Sequence, residues 1–370
     1  MPCPRGSYPY KYSTNKSNVR PTAGSTVKRK KRGIPVTAVP FVLPSLWGLA
    51  LLLAGMKIME TALRNWAGSR LADALERLTR TPFRGFVMGT VTSALMQSST
   101  AVTVLTIGLV NARLMTFSRS LGIILGTNVG TCLTTELMSL HLHRYGTALL
   151  AAASSLWLWT ALSAEMALLP PLRRRTFIPL RYGAAALAGF SLLLVGFRVL
   201  QSIGPHLKDN GTMSAVMAQA AAHPLWGVAG GAALAALVHS SAAVIGMAMG
   251  LAASGAMPVE TGIAVVLGAN VGTCFTGLVA ALGGSRGGRF VALAQLALNA
   301  GGVLLFYPFI GALLDVSALL APNRPYGQIA HAQTIFNVVC SLLALPLASL
   351  PAWRRLDAAR PPGADRPPGG

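Results

Sequence analysis

Hydrophobic positions along this chain come in long runs, broken by brief polar interruptions and short clusters of Lys and Arg. A helix crossing ~30 Å of hydrocarbon needs about 20 apolar residues, and residues 41–63 and 145–166 reach that length. The stretches on either side of Gln97–Thr100, and of His239–Ala242, are shorter, at roughly 14 residues each, too few for a full crossing. They predict the two arms of a re-entrant hairpin whose hydroxyl-rich turn forms the tip. After each comes an apolar segment carrying GTNVGTC (126–132) or GANVGTC (268–274), whose two glycines and Asn predict a broken helix. Irregular backbone is tolerated in lipid only where protein or a watery cavity satisfies it. Two such irregularities per segment group therefore point inward.

The pattern occurs twice. A shift of about 142 residues aligns Pro82 with Pro224, Gly85 with Gly227, Ser98 and Ser99 with Ser240 and Ser241, and Gly108 with Gly250. About 20 of the 54 positions between Pro82 and Thr135 match their partners without a gap. The first span joins with a one-residue slip that pairs Lys57 with Arg198. Each repeat then holds a span, a hairpin, a broken span and another span. That is an odd number of crossings, so the second repeat must be inverted relative to the first.

The expected fold is an all-α polytopic membrane protein. A basic tail (1–40) that lacks the periodicity of a packed segment precedes repeat 1 (41–166), a basic linker (167–182) and repeat 2 (183–315). One extra C-terminal span (328–352) and a Pro/Gly tail (353–370) follow. On this plan the arginine-rich loops, Arg64 to Arg84, Arg113, Arg119, Arg173 to Arg181, Arg286 and Arg289, share one face, cytoplasmic by the positive-inside bias. The basic tail falls on the opposite face, against that same bias.

Composition agrees with a bilayer as solvent: 53% hydrophobic, 11% charged, mean hydropathy +0.55. The net charge of +21 comes from clusters such as KRKKR (28–32) and RRR (173–175) that flank apolar runs, so it argues for membrane flanking and against nucleic acid. Four scattered cysteines form no CxxC pair, so neither a disulfide framework nor a zinc site is expected. Cys132 and Cys274 occupy matching places in the repeats and read as small packing residues. The chain has no HExxH, GxSxG or GxxxxGK[ST], which argues against an enzyme, and no resident cofactor is expected.

Paired interruptions in two inverted halves mark a transporter's midplane site. Helix N-termini with hydroxyls suit an anion, and helix C-terminal carbonyls with Asn, Gln and Ser/Thr oxygens suit a small hard cation. The candidate residues are Gln97, Ser98, Ser99, Thr100, Asn128 and Thr131 in the first repeat, and His239, Ser240, Ser241, Asn270 and Thr273 in the second. None carries a fixed charge, which favours reversible binding. Gln295 with Asn299, and Gln333 with Asn337, repeat an A-Q-x-x-x-N pattern. They read as interhelical hydrogen bonding, with Gln333 and Asn337 as weaker cation candidates. Lys57 and Glu60 are spaced to pair on one helix face as structure. Glu136 has no symmetric partner, Leu278 standing in its place.

The order TPFRGFVMGTVTSALMQSSTAVTVLTIGLVNA, then LGIILGTNVGT, repeated as HPLWGVAGGAALAALVHSSAAVIGMAMGLAASG and AVVLGANVGT, resembles the type II sodium–phosphate cotransporter family, bacterial branch. HAQTIFN near the end is similar to that family's late helix, and the resemblance covers about 45–350. It implies a sodium-coupled symporter of inorganic phosphate in the inner membrane. In it the paired Gln-Ser-Ser-Ser hairpins form the phosphate and sodium sites, carried over to Gln97, Ser98, Ser99, Thr100, Ser240 and Ser241. The second copy departs from the motif, with His239 and Ala242 in place of Gln and a third Ser. His239 either brings a proton into the cycle or, as a neutral imidazole, replaces the Gln hydrogen bond. A proton-coupled phosphate transporter and a carrier of another small oxyanion or carboxylate are the alternatives.

Overall fold

The computed structural model describes residues 39–140, 142–165, 174–209 and 211–353. The expected tails, residue 166 and residues 167–173 of the linker lie outside them, save for Val39 and Pro40, which open the first helix, and Trp353. All regular structure among the described residues is helical: α1 (Val39–Leu78), α2 (Pro82–Met96), α3 (Ser99–Asn111), α4 (Phe117–Ser139), α5 (Gly146–Glu165), α6 (Arg174–Ser202), α7 (Gly204–Asp209) and α8 (Gly211–Ala222). There follow α9 (Pro224–Val238), α10 (Ser241–Ala253), α11 (Val259–Gly272), α12 (Cys274–Ala281), α13 (Arg286–Phe306), α14 (Ile310–Leu320) and α15 (Pro325–Ala344). By length and composition seven segments among the described residues can cross a membrane: Leu43–Leu78, Phe117–Ser139, Leu142–Ser163, Phe177–Leu207, Val259–Ala281, Arg286–Leu320 and Pro325–Ser349.

The glycines of the GTNVGT stretch do not break α4, which runs through Gly126–Thr131 without interruption. They let two backbones meet. A side chain at Gly122, Gly126 or Gly130 would strike the carbonyl oxygens of Pro82, Phe86 or Thr90 on α2, and one at Gly89 would strike that of Ile123. Each glycine costs about 1 kcal/mol of helix propensity, offset by the close dispersion contacts that small residues permit between helices. The second copy repeats the device. Gly268 and Gly272 of α11 abut the carbonyls of Val228 and Ala232 on α9, and Gly231 abuts that of Val265. Here the helix pauses at Thr273, whose φ −66° and ψ −20° stay close to helical, so the expected break is slight.

These contacts fix direction. Residues 82, 86 and 90 pair with 122, 126 and 130, so α2 and α4 run parallel, and α9 and α11 run parallel in the same way. The long helices α1 and α6 cross antiparallel. Gly55 lies on the backbone of Gly189 and Leu193, while Gly196 lies on that of Gly48 and Leu52. These are the same partners shifted by about 141 residues, so each half of the crossing repeats the other.

One end of the bundle gathers the close of α1 and α3 and the starts of α2, α4 and α13. Arg119 donates to the carbonyls of Glu76 and Thr79 at 2.7 and 2.8 Å, and Asn111 Oδ1 accepts from Ser285 N and Oγ at 3.0 and 2.7 Å. Phe117 packs edge-on against Trp353, ring centroids 5.6 Å apart. At the other end Gly204 abuts Ser254, Gly262 abuts Ile329, and His143, just past α4, stacks edge-on against Phe197 and Tyr326. Consequently α4 runs from the first end to the second, and α11 with α12 runs back. Arg80, Arg84, Arg113, Arg119, Arg286 and Arg289 all belong to the first end, as the loop pattern predicts.

Two expected boundaries move. The linker is helical from Arg174 onward, with Pro179 inside α6 at the loss of one backbone bond. The second repeat continues past 315 to Leu320, through a 3₁₀ turn at Tyr307–Phe309. The close packing gives a testable outcome. Gly126→Val or Gly268→Val, each forced against a carbonyl of the facing helix, should cost about 1–3 kcal/mol of stability, read as a lower melting temperature in detergent. Gly108→Ala, where a new Cβ meets nothing within 4 Å, should leave it unchanged or slightly raised.

Candidate functional site

Between α2 and α3, and between α9 and α10, one helix gives way to the next across two residues, with no loop. Gln97 closes α2 in the left-handed region (φ 53°), and Ser98 opens α3 in extended geometry (φ −155°, ψ 105°). His239 (φ 57°) and Ser240 (φ −151°, ψ 111°) reproduce those angles. Each serine is an N-cap. Ser98 Oγ accepts from Ala101 N at 3.2 Å, and Ser240 Oγ from Ala243 N at 3.2 Å. A cap bond uses a lone pair and fixes the hydroxyl, leaving its proton to be given elsewhere.

Both tips are anchored to the helix that follows. Thr134 Oγ1 donates to Gln97 Oε1 at 2.7 Å, while Gln97 Nε2 donates to Ala94 O at 2.5 Å. In the second copy His239 Nδ1 lies 2.8 Å from Thr276 Oγ1, the threonine equivalent to Thr134. The histidine makes the bond that the glutamine makes.

The two tips share one cavity of ≈ 320 Å³. Gln97, Ser98, Ser99, Thr100 and Thr131 line it from one side, and His239, Ser240, Ser241 and Ala242 from the other. The first residues of α3 and α10 therefore both face this space, and each N-terminus brings roughly half a positive charge. The remaining wall belongs to Val238 and to α1: Leu53, Met56, Lys57 and Glu60. Lys57 and Glu60 pair as their spacing predicts, Nζ to Oε2 at 3.4 Å. They also put fixed charges on the cavity, which the uncharged set of tip residues did not anticipate. The signal for them was present, since a lysine and a glutamate inside an apolar span call for a functional explanation.

Five expected site residues lie away from this cavity. Asn128 Nδ2 donates to Asn299 Oδ1 at 2.9 Å, linking α4 to α13, and Asn270 Nδ2 returns to Val266 O on its own helix at 2.8 Å. Thr273 Oγ1 donates within its own helix, to the carbonyls of Ala269 and Asn270. Gln333 Oε1 accepts from Thr135 Oγ1 at 2.6 Å, and Asn337 Nδ2 donates to Cys132 Sγ at 3.4 Å. The matching pair repeats this, Asn299 Nδ2 donating to Cys274 Sγ at 3.0 Å. Glu136 meets α15: its Oε1 accepts from Thr334 Oγ1 at 2.5 Å and lies 3.1 Å from His331 Nδ1.

Paired helix tips around a shared cavity, with seven membrane-length helices among the described residues, define a multi-pass membrane protein of a transport class. The Na+/Pi-cotransporter family matches residues 51–202 and, a second time, 192–345, and the chain belongs to that family. It is 31% identical over 303 residues to "Uncharacterized protein YqeW" of Bacillus subtilis (strain 168), covering 80% of this chain and 92% of that one. It is 27% identical to "Putative inorganic phosphate export protein YjbB" of Escherichia coli (strain K12), covering 80% of this chain but only 52% of that longer protein. A shorter similarity, 26% over 123 residues, links it to "Sodium-dependent phosphate transport protein 2A" of Ovis aries, covering 33% of this chain and 19% of that one. No solved structure matches the chain.

The shared anchor predicts that the tip residues are interchangeable in structure. Gln97→His and His239→Gln should each keep the bond to the facing threonine and hold stability within about 1 kcal/mol of the parent. Thermal melting in detergent checks this, and a large loss in either variant would refute the equivalence of the two anchors.

Proposed function

We propose that the protein is a sodium-coupled secondary-active symporter of inorganic phosphate in the bacterial inner membrane. One observation carries the reading: two serine-capped helix tips of near-identical geometry share a single cavity. On this reading each pair of short helices is a re-entrant hairpin, and the two repeats are inverted. The opposite directions of α4 and α11 and the self-repeating α1–α6 crossing support it. The family and the names of the sheep and E. coli relatives support phosphate as the substrate.

The chemistry follows from the ends of the helices. Hydroxyls of Ser98, Ser99, Thr100, Ser240 and Ser241 and the first amides of α3 and α10 donate to the oxygens of phosphate. The carbonyl ends of α2 and α9 and the amide oxygen of Gln97 offer the hard oxygen ligands that sodium takes. Alternating access is then a rocking of one repeat against the other around a fixed site, opening the cavity to each side in turn.

Reconstituted proteoliposomes test this with radiolabelled phosphate under an inward sodium gradient, a potassium control and a proton gradient. Flux is measured both as uptake and as efflux from loaded vesicles, since one relative's name speaks of export. Accumulation driven by sodium supports the proposal. Movement driven only by protons replaces sodium as the coupling ion and turns attention to His239, and no movement under any gradient overturns phosphate transport.

Ser98→Ala and Ser240→Ala should each weaken phosphate uptake about 10-fold at low phosphate, the worth of one hydrogen bond to a charged group, with membrane insertion intact. Ser98→Asp separates capping from binding. Aspartate caps as well as serine, yet its charge repels the anion, so a folded, inserted and inactive variant is expected.

A further inference from the structure

The α1 wall of the cavity carries a cation and a carboxylate side by side. We propose that Lys57 holds the transported anion by charge and that Glu60 is its resting counter-ion, giving up the ammonium when the anion arrives. The proposal rests on the reading of the tips as an anion site and adds to them the one full positive charge that the cavity lining supplies.

Three observations carry it. First, Lys57 and Glu60 stand three residues apart on one face of α1 and both line the same cavity as Ser98 and Ser240. Second, the pair is loose. The separation is 3.4 Å, longer than a charge-assisted hydrogen bond of about 2.7–2.9 Å. The Lys57 side chain is 65% exposed and that of Glu60 20%, so the ammonium is the more open partner and the carboxylate the more enclosed one. An ion pair this open is weak, and an oxyanion in the cavity competes for the ammonium directly. Third, the duplicate is absent. Arg198 and Gln201 of α6 fall on Lys57 and Glu60 in the repeat register, and neither lines the cavity. The site therefore has one such charge, matched to one bound anion.

Charge bookkeeping gives the proposal an unusual signature. With both side chains present the wall is neutral. Replacing Lys57 leaves Glu60 facing the tips, so the wall becomes repulsive to an anion, whereas replacing Glu60 leaves an uncommitted ammonium. A pair that only braces α1 would respond alike to either loss.

The test measures inorganic phosphate affinity, by calorimetry on the purified full-length protein and by the concentration dependence of uptake. Lys57→Gln should weaken binding about 10-fold or more, and Glu60→Gln should tighten it several-fold. The double variant should bind better than Lys57→Gln alone, and Lys57→Arg should retain most of the affinity. Where Lys57→Gln folds poorly, Lys57→Cys is purified folded and modified with aminoethyl methanethiosulfonate. Recovery of affinity is expected from that reagent and not from the anionic sulfonatoethyl reagent, with the parent protein treated in parallel.

Shifts of the same sign for Lys57→Gln and Glu60→Gln would overturn the proposal. So would an unchanged affinity in Lys57→Gln while Ser98→Ala weakens binding, and in that case the tip site stands. If neither Ser98→Ala nor Lys57→Gln alters phosphate affinity, the tip reading fails together with this one.

Discussion

A helix that stops short inside a bilayer leaves backbone amides and carbonyls with no water to meet them. α2, α3, α9 and α10, at 13 to 15 residues, are each too short to cross alone, and the rest of the structure follows from where their ends go. The ends meet in pairs without a connecting loop, closed by left-handed Gln97 and His239 and capped by Ser98 and Ser240. The demand left over faces one shared cavity. A position so exacting needs rigid support, which the glycine contacts supply: α2 lies backbone to backbone on α4, and α9 on α11. In this way the same glycines that cost helix propensity hold the tips in register.

What is duplicated and what is not divides along physical lines. Backbone-level features recur: the left-handed residue, the serine cap, the threonine anchor and the glycine faces. The charges at the cavity and the Glu136–His331 contact occur once. Lys57 and Glu60 meet the cavity while Arg198 and Gln201 do not, and Glu136 with His331 has no counterpart at Leu278. On the proposed mechanism, in which two equivalent halves exchange between two arrangements, the duplicated backbone frame serves the exchange, and the unduplicated charges serve a single bound anion.

The sequence was a good guide where its signal is an offset or a length. The duplication of Pro82–Thr135 in 224–277, the short arms and the serine tips are all read from spacing, and Gln97–Thr100 does meet His239–Ala242 across a cavity. It misled at GTNVGT, because a glycine looks the same whether it breaks a helix or lets another helix approach. It was silent on which way Lys57 points. A helix apolar nearly all round has no polar face to betray its orientation, and only the packing of α1 against α2, α6 and α10 turns Lys57 and Glu60 to the cavity. Asn128 was read as a candidate binding amide, but its partner Asn299 lies on a helix far along the chain, which spacing cannot reveal.

The last helix is a stronger case of the same limit. From the sequence, α15 is an addition after two complete repeats. In the fold it does for the first repeat what α13 does for the second. The Gln333 carbonyl lies 3.9 Å from Cys132 Sγ, to which Asn337 donates, while the Gln295 carbonyl lies 3.8 Å from Cys274 Sγ, to which Asn299 donates. α5, which follows α4 directly in the chain, packs on α6 and leaves that face of α4 to α15. Thr135 and Glu136 then find their partners on α15, in Gln333, His331 and Thr334. Each such bond is worth only about 0.6 kcal/mol on average, but a buried polar group without its partner costs more than the bond returns. The two halves are thus interlocked, and the first is complete only once the chain has passed through the second.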